Sequence, residues 1–386
     1  MEVDYSKFSD KVKFWKSVLE NVKEFVGSSP PSIFVGRAFY PKVYLGILAP
    51  PNHLENAEIL DFPENWYREK ASIEKILDFR SQMIYSRFKA DSLKPKGNLV
   101  EIFQELSASK RHVDVEIKLK DKPKFRFFFS YWHQPIGNPA SINQARLAEN
   151  AKIEKKVDYV ISDYDLKASE AVFKLYDYGI EVSRIQKIFS AGLLGSKVQR
   201  KIVPTRWSIT AVDDIIGKKL MKKVKNFESL DEIRVFNNEY IGNHYEILLL
   251  PGQYQYELVE IWDVESSVKI ASDYESWNGI YGYASNTHGA FYSGRLAILE
   301  YLKRIKRQAI ALIVREVRKE YFAPVGIWQL REAVRDAFNK KYEVFENLED
   351  ALKRICSRII AKDKWLIKSK ILRIVKGQAR IKDFLY

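Results

Sequence analysis

Val157-Asp158-Tyr159-Val160-Ile161-Ser162-Asp163-Tyr164-Asp165-Leu166 sets a short, branched apolar run directly ahead of two aspartates. Val157, Val160 and Ile161 favour a buried strand over 157–162, because branched side chains suit a pleated surface. Asp163-Tyr164-Asp165 then offers carboxylates to the unpaired N–H groups that open a helix, predicted over 166–178. With a further helix predicted over 143–151, this alternation indicates an α/β or α+β fold with a mixed sheet core.

Upstream, 5–26 carries apolar residues at helical spacing (Phe8, Val12, Trp15, Val18, Leu19, Val22, Phe25) and is stopped by Ser28-Ser29-Pro30-Pro31. Residues 32–51 lean toward strand, interrupted by Gly36-Arg37 and Tyr40-Pro41. That interruption is either a sharp structural turn or a cradle for a ligand beside an arginine and a tyrosine. A helix is predicted over 66–88, with Arg80 and Arg87 about two turns apart on one side. Val113, Val115, Ile117 and Leu119 alternate with polar residues, and 125–129 returns as the second arm of a hairpin.

Downstream, strands are predicted at 202–203, 208–212, 245–250 and 254–264, with Pro251-Gly252-Gln253 turning between the last two. After Tyr292 the pattern is mostly helical to Lys376. The organisation expected is a mixed core over 1–290 carrying a central basic motif, a helical basic layer over 291–376, and a flexible tail over 377–386.

The chain has 386 residues, 46% hydrophobic and 30% charged, with a formal charge of +14 and a single cysteine, Cys356. No run approaches the roughly 18 uninterrupted apolar residues of a membrane helix, and Asp4, Lys7 and Asp10 leave no signal-peptide core. A soluble intracellular protein with no disulfide is expected, and no membrane partner. The positive balance points to a polyanionic partner. Between Lys353 and Lys382 stand eleven basic residues (Lys353, Arg354, Arg358, Lys362, Lys364, Lys368, Lys370, Arg373, Lys376, Arg380, Lys382) against Asp363 alone, a net +10. Such a face suits phosphates or an acidic protein, or is simply solvated.

The densest polar motif runs from Gly195 to Asp214. Lys197, Arg200, Lys201 and Arg206, with hydroxyls at Ser196, Thr205, Ser208 and Thr210, match what phosphodiester oxygens require, and Trp207 offers a face on which a base can stack. Asp213 and Asp214 admit two readings, a helix cap or a Mg²⁺ or Mn²⁺ site for phosphoryl chemistry. A second cluster, Asp273 and Glu275 through His288 to Arg295, mixes acids, a histidine and an arginine with aromatic and glycine residues, as a pocket or an ordinary loop core would. The five histidines, His53, His112, His133, His244 and His288, show no paired ligand spacing, so no resident metal or other cofactor is expected.

Gln378-Ala379-Arg380-Ile381-Lys382-Asp383-Phe384-Leu385-Tyr386 has the spacing of a clamp-binding box. Ile381 and Phe384, three apart, share one face of a helical turn, Leu385 lies one step round, and Gln378 sits a turn earlier. Gly377 frees this segment from the helix before it. The competing reading is a segment tucked onto the protein's own core.

These residues resemble the archaeal Nre proteins. The resemblance rests on Ser190-Ala191-Gly192-Leu193-Leu194-Gly195, on Arg200 to Asp214, on 163–173, on 36–51, on 274–299 and on the box beginning at Gln378. It implies a DNA repair factor, cytoplasmic and nucleoid-associated. Its partners would be DNA and the sliding clamp, PCNA, docked through a PIP-type box of Gln378, Ile381, Phe384, Leu385 and Tyr386. Lys197, Arg200, Lys201, Arg206 and Trp207 would be the nucleic-acid contacts. Two features depart from the family: the amino-terminal segment has no cysteines for a zinc site, and Leu385 stands where an aromatic residue is commoner. The resemblance supplies no reaction and no oligomeric state. Two alternatives stay open, a metal-dependent enzyme using Asp213, Asp214, Asp273 or Glu275, and a non-enzymatic protein adaptor.

Overall fold

The computed structural model describes residues 14–15, 17–19, 21–124, 136–264 and 267–377. It is a mixed α/β protein of two compact units, Met1–Ile216 with Ala323–Gly326, and Gly217–Phe322 with Ile327–Tyr386. Position 290, where a boundary was expected, falls inside the second unit.

In the first unit, β1 (Glu24–Ser29), β2 (Ser32–Val35), β3 (Lys42–Ala49), β4 (Ile84–Asp91), β5 (Val113–Leu119) and β6 (Asn138–Leu147) form one sheet in the order β1-β5-β6-β4-β3-β2. Every neighbouring pair is antiparallel except β4 and β6. Alternation along the strands builds the core: Val43, Leu45, Ile47 and Ala49 of β3 and Val113, Val115 and Ile117 of β5 are buried with Phe103 and Leu106 of the helix Asn98–Ala108. The opposite face of β3 carries Tyr44 and Gly46, registered against Lys89 and Arg87 of β4. Gly46 is obligatory, because the Tyr85 ring occupies the space a Cβ would need.

In the second unit, β7 (Ile233–Tyr240), β8 (Asn243–Leu250), β9 (Gln255–Val264), β10 (Ser267–Glu275), β11 (Ile310–Val317) and β12 (Glu343–Phe345) are ordered β10-β9-β11-β8-β7-β12. β11 runs antiparallel to β8 and parallel to β9. Pro251-Gly252-Gln253 therefore does not close a hairpin; it carries the chain past the slot that β11 later fills. One sheet face packs Val235, Leu248, Ile261, Leu312 and Val314 against Leu352 and Ile355 of the helix Leu348–Arg358 and Ile371 of Lys370–Gly377. The helices Gly289–Ile305 and Trp328–Ala337 lie against the sheet as well, with Phe236 edge-on to Tyr301 and to Phe338.

Several segments take the other secondary structure from the one the sequence suggests. Residues 157–162 belong to the helix Lys155–Ser162, whose two buried residues, Val157 and Val160, are three apart on one helical face. Residues 143–147 lie in β6, between β5 and β4, so sheet pairing overrides the helical preference of Gln144, Ala145, Arg146 and Leu147. Residues 208–212 sit in the helix Thr205–Val224, where Ser208, Val212, Ile216, Leu220 and Val224 are buried at a spacing of four. The helix predicted over 66–88 divides into Pro63–Arg68, Ile73–Ser81 and β4, so Arg80 and Arg87 do not share a helix. Ser72 caps the second of these by accepting from the Lys75 N–H. Glu24–Ser29 is strand where the amino-terminal helix was expected to reach 26, and β11 interrupts the helical layer expected after Tyr292. The return arm over 125–129 lies outside the described residues; β5 pairs with β1 and β6.

A buried carboxylate ties three elements of the first unit together. Asp61 is 2.8 Å from Arg80 and 3.0 Å from Lys187, and it accepts from the Ser32 hydroxyl. Burial alone would push its carboxyl up, but Arg80, Lys187 and Ser32 outweigh that and hold it below the usual aspartate range. Asp61→Ala would strand two cations and should cost about 3 kcal/mol in denaturant unfolding. Because the folded-state pKa is the lower one, this contribution is complete above the ordinary aspartate range. It is lost as pH falls through the lowered value. Acid titration of unfolding should therefore show a steeper loss of stability in the parent protein than in Asp61→Ala.

Candidate nucleic-acid interface

The helix Val182–Ser190 ends at Ala191, and the chain crosses back over that end. Gly192 permits the crossing: its φ is +74°, and a Cβ there would stand 2.8 Å from the Lys201 carbonyl oxygen. The Val203 N–H donates to the Ser190 carbonyl at 2.9 Å, and the Ser190 hydroxyl donates to the Val203 carbonyl at 2.7 Å. Residues 201–203 are thus extended across the helix end, and Thr205 opens the next helix.

Two more strands of contact join this motif to the β2–β3 loop. The Ile202 N–H donates to the Ser92 carbonyl at 2.9 Å, and the Ser92 N–H donates to the Pro41 carbonyl at 2.8 Å. The Val35 N–H donates to the Thr205 hydroxyl at 2.9 Å. In consequence Tyr40 and Trp207 meet, ring centroids 5.2 Å apart and tilted by 56°. Tyr40 is 43% exposed, Trp207 45% and Phe39 75%. The Gly36-Arg37 turn and the central basic motif, far apart in sequence, form one surface.

Strand β4 extends that surface. Arg87 lies 4.5 Å and Lys89 5.4 Å from the Tyr44 ring, and Lys89 is 5.9 Å from the Phe39 ring. Arg37, Lys42, Lys89, Lys201, Arg206 and Trp207 are exposed. Among the described residues none of Arg37, Lys42, Arg87, Lys89, Lys201 and Arg206 has a carboxylate partner. The carboxyl-terminal basic segment is different. Lys353 pairs with Glu349 at 2.9 Å, Arg354 with Glu343 at 2.8 Å, and Arg358 with Glu246 at 2.7 Å and Glu343 at 2.5 Å. Part of its +10 is compensated within the protein.

The predicted contacts divide by role. Lys201, Arg206 and Trp207 face solvent, and so does Lys197, 5.6 Å from the Tyr164 ring. Arg200 turns inward, donating from Nε to the Gly195 carbonyl at 2.9 Å and from Nη2 to the Ile161 carbonyl at 2.5 Å, over the Tyr164 ring. Burial pushes its pKa down, against the pull of Tyr164 and Asp163. Arg87, Lys89, Phe39 and Tyr44 escaped the sequence reading. The pleat alternation shared by β3 and β4 was the signal available, and assigning Arg87 to a helix hid it.

Each candidate carboxylate sits in a defined local setting. Asp213 and Asp214 lie within Thr205–Val224, away from its start, so neither caps it; Asp213 is buried and accepts from Gln186 Nε2 at 3.1 Å. Asp273 and Glu275 belong to the second unit. Asp273 accepts from the Asn286 and Thr287 N–H groups at 3.0 and 2.6 Å and from the Thr287 hydroxyl at 2.8 Å, which makes it a loop anchor. Glu275 is paired with the equally buried Arg295 at 3.1 Å. No cluster of three or more His, Cys, Asp or Glu side chains able to hold a metal occurs among the described residues. Gln378, Ile381, Phe384, Leu385 and Tyr386 lie outside the described residues, as does His133. No helix among the described residues is long and apolar enough to cross a membrane.

A family model described as "Archaeal Nre, N-terminal" matches residues 4–268, and one described as "Archaeal Nre, C-terminal" matches 275–384. The "DNA repair protein NreA" of Archaeoglobus fulgidus is 38% identical over 363 residues, 92% of this chain and 90% of that protein. The "DNA repair protein NreB" of the same organism is 38% identical over 365 residues, 93% of this chain and 91% of that one. The "DNA repair protein NreA" of Haloferax volcanii is 38% identical over 342 residues, covering 85% and 81%. No solved structure matches.

The inward and outward cations should separate in a stability measurement. Arg200→Ala leaves two carbonyls without their donor and should cost about 1–3 kcal/mol in urea unfolding. Lys201→Ala and Arg206→Ala should each stay within about 0.5 kcal/mol of the parent. Equal effects at all three positions would contradict this division.

Proposed function

The chain belongs to the archaeal Nre family, and on that premise we propose that it is a DNA repair protein whose first unit grips the phosphate backbone. The observation that carries this reading is the joining of the Tyr40 loop to the Lys201–Arg206 segment, which gathers Arg37, Arg87, Lys89, Lys201 and Arg206 without carboxylate partners among the described residues. An uncompensated cation gains more from a phosphate than a paired one, because no internal contact has to be broken first. Arg200 supports the site from behind by holding the turn at Gly195. Lys197, Lys201 and Arg206 make the direct contacts, and Trp207 stands beside them.

In this reading the protein works in the cytoplasm at the nucleoid, held there by the sliding clamp, PCNA. Gln378, Ile381, Phe384, Leu385 and Tyr386 serve as the PIP-type box, with the glutamine amide at the groove edge and the apolar residues as the plug. The two interactions divide the work: the box sets the location and the cationic face sets the contact with DNA.

Fluorescence anisotropy with a labelled DNA at a series of salt concentrations tests the first part. Affinity should fall steeply as salt rises, and Lys201→Ala and Arg206→Ala should each weaken binding and lower the salt slope by about one. A flat salt response would sink the phosphate reading. Calorimetry against the purified clamp tests the second. Removing residues 378–386 should abolish clamp binding with the unfolding transition unchanged, and binding that survives would remove the box from the mechanism.

A further inference from the structure

We infer that the aromatic surface formed by Phe39, Tyr40 and Trp207 is a stacking platform for an unpaired DNA base, so that the first unit favours single-stranded or base-extruded DNA over intact duplex. This rests on the reading that the surrounding cations hold phosphates, and it adds the form of DNA they hold.

Three observations lead there. Large aromatic rings bring the most stabilisation when buried, yet Tyr40 and Trp207 are nearly half exposed and Phe39 three-quarters exposed, all on one surface. They are also held, not loose: the loop and the helix start are joined through Val35, Thr205, Ser92 and Pro41. Phe39 keeps φ at +64°, a left-handed conformation that is costly for a bulky side chain, and the loop backbone thereby sets the direction of its Cα–Cβ bond. Finally, the cations lie beside the rings. Lys89 is within 5.9 Å of Phe39, Arg206 adjoins Trp207 in sequence, and Arg87 and Lys89 continue along Tyr44.

The duplex cannot use such rings. Its bases turn their π-faces to one another and present only edges in the grooves, whereas an unpaired base exposes a face. The geometry also limits how that face is met. A base inserted between two rings needs them roughly 7 Å apart, twice the ordinary carbon contact distance. Tyr40 and Trp207 are 5.2 Å apart and tilted, so a base stacks on the outer side of the pair. The inner contact braces Trp207 against the push of the stacked base.

The test compares a short single-stranded oligonucleotide, the same strand with its central bases replaced by abasic residues, and the matched duplex. All three are titrated into the full chain by anisotropy at one salt concentration. The normal strand should bind about tenfold or more tighter than the abasic strand, and tighter than the duplex. Trp207→Ala and Tyr40→Ala should erase the difference between normal and abasic strands while keeping the salt slope, and Trp207→Phe should retain most of it. Equal affinity of the parent protein for normal and abasic strands would overturn the stacking platform and leave the phosphate reading standing. Discrimination that persists in both alanine variants would place base recognition elsewhere and overturn the proposal. Failure to bind any of the three at low salt would remove the phosphate reading instead.

Discussion

At Gly192 the backbone passes so close to the Lys201 carbonyl that no side chain fits, and the left-handed φ of +74° completes the turn. The Ile202 N–H and both backbone groups of Val203 find partners there, Ser92 on one side and Ser190 on the other. Ser92 carries the connection on to Pro41, and Thr205 carries it to Val35. The position of Trp207 against Tyr40, and of Arg206 beside them, follows from this run of backbone contacts. The Ser190-Ala191-Gly192 motif is therefore structural support for a surface to which it contributes no charge.

The distribution of charge matters in a different way from its total. The eleven basic residues between Lys353 and Lys382 dominate any count along the sequence. Folding sets Glu246 and Glu343 against Arg354 and Arg358, and Glu349 and Asp350 against Lys353. In the first unit, strand pairing and the Gly192 crossing collect Arg37, Arg87, Lys89, Lys201 and Arg206 with no carboxylate partner among the described residues. Arg200 shows the reverse. It lies in the densest basic motif, and its guanidinium is committed to two backbone carbonyls.

Strands rich in branched and aromatic residues were legible without the structure. β5 alternates buried with less buried residues, and β2, β3, β8 and β9 are mostly buried runs. Segments whose preference conflicts with their surroundings were not. The branched residues of 208–212 suit a strand, but the burial that decides the matter recurs every four residues through Val224. The helix formers of 143–147 sit in a sheet because β5 pairs with them along Val115–Lys118. The same conflict hid half the candidate site. Lys201, Arg206 and Trp207 could be picked from composition, whereas Arg87 and Lys89 matter only once β4 is a strand registered against β3.

By itself the sequence determined a mixed α/β protein with a positive balance, a central basic motif containing a tryptophan, and membership of a family recognisable along its whole length. These are properties of residue type and local spacing, and they survive any arrangement of the elements. The tertiary structure alone decided which cations are compensated, which arginine points inward, and that Tyr40 and Trp207 share a surface. The shared surface depends on contacts between residues more than a hundred positions apart, Val35 with Thr205 and Tyr40 with Trp207, which no local pattern encodes, and on a backbone crossing that only a glycine's missing side chain allows.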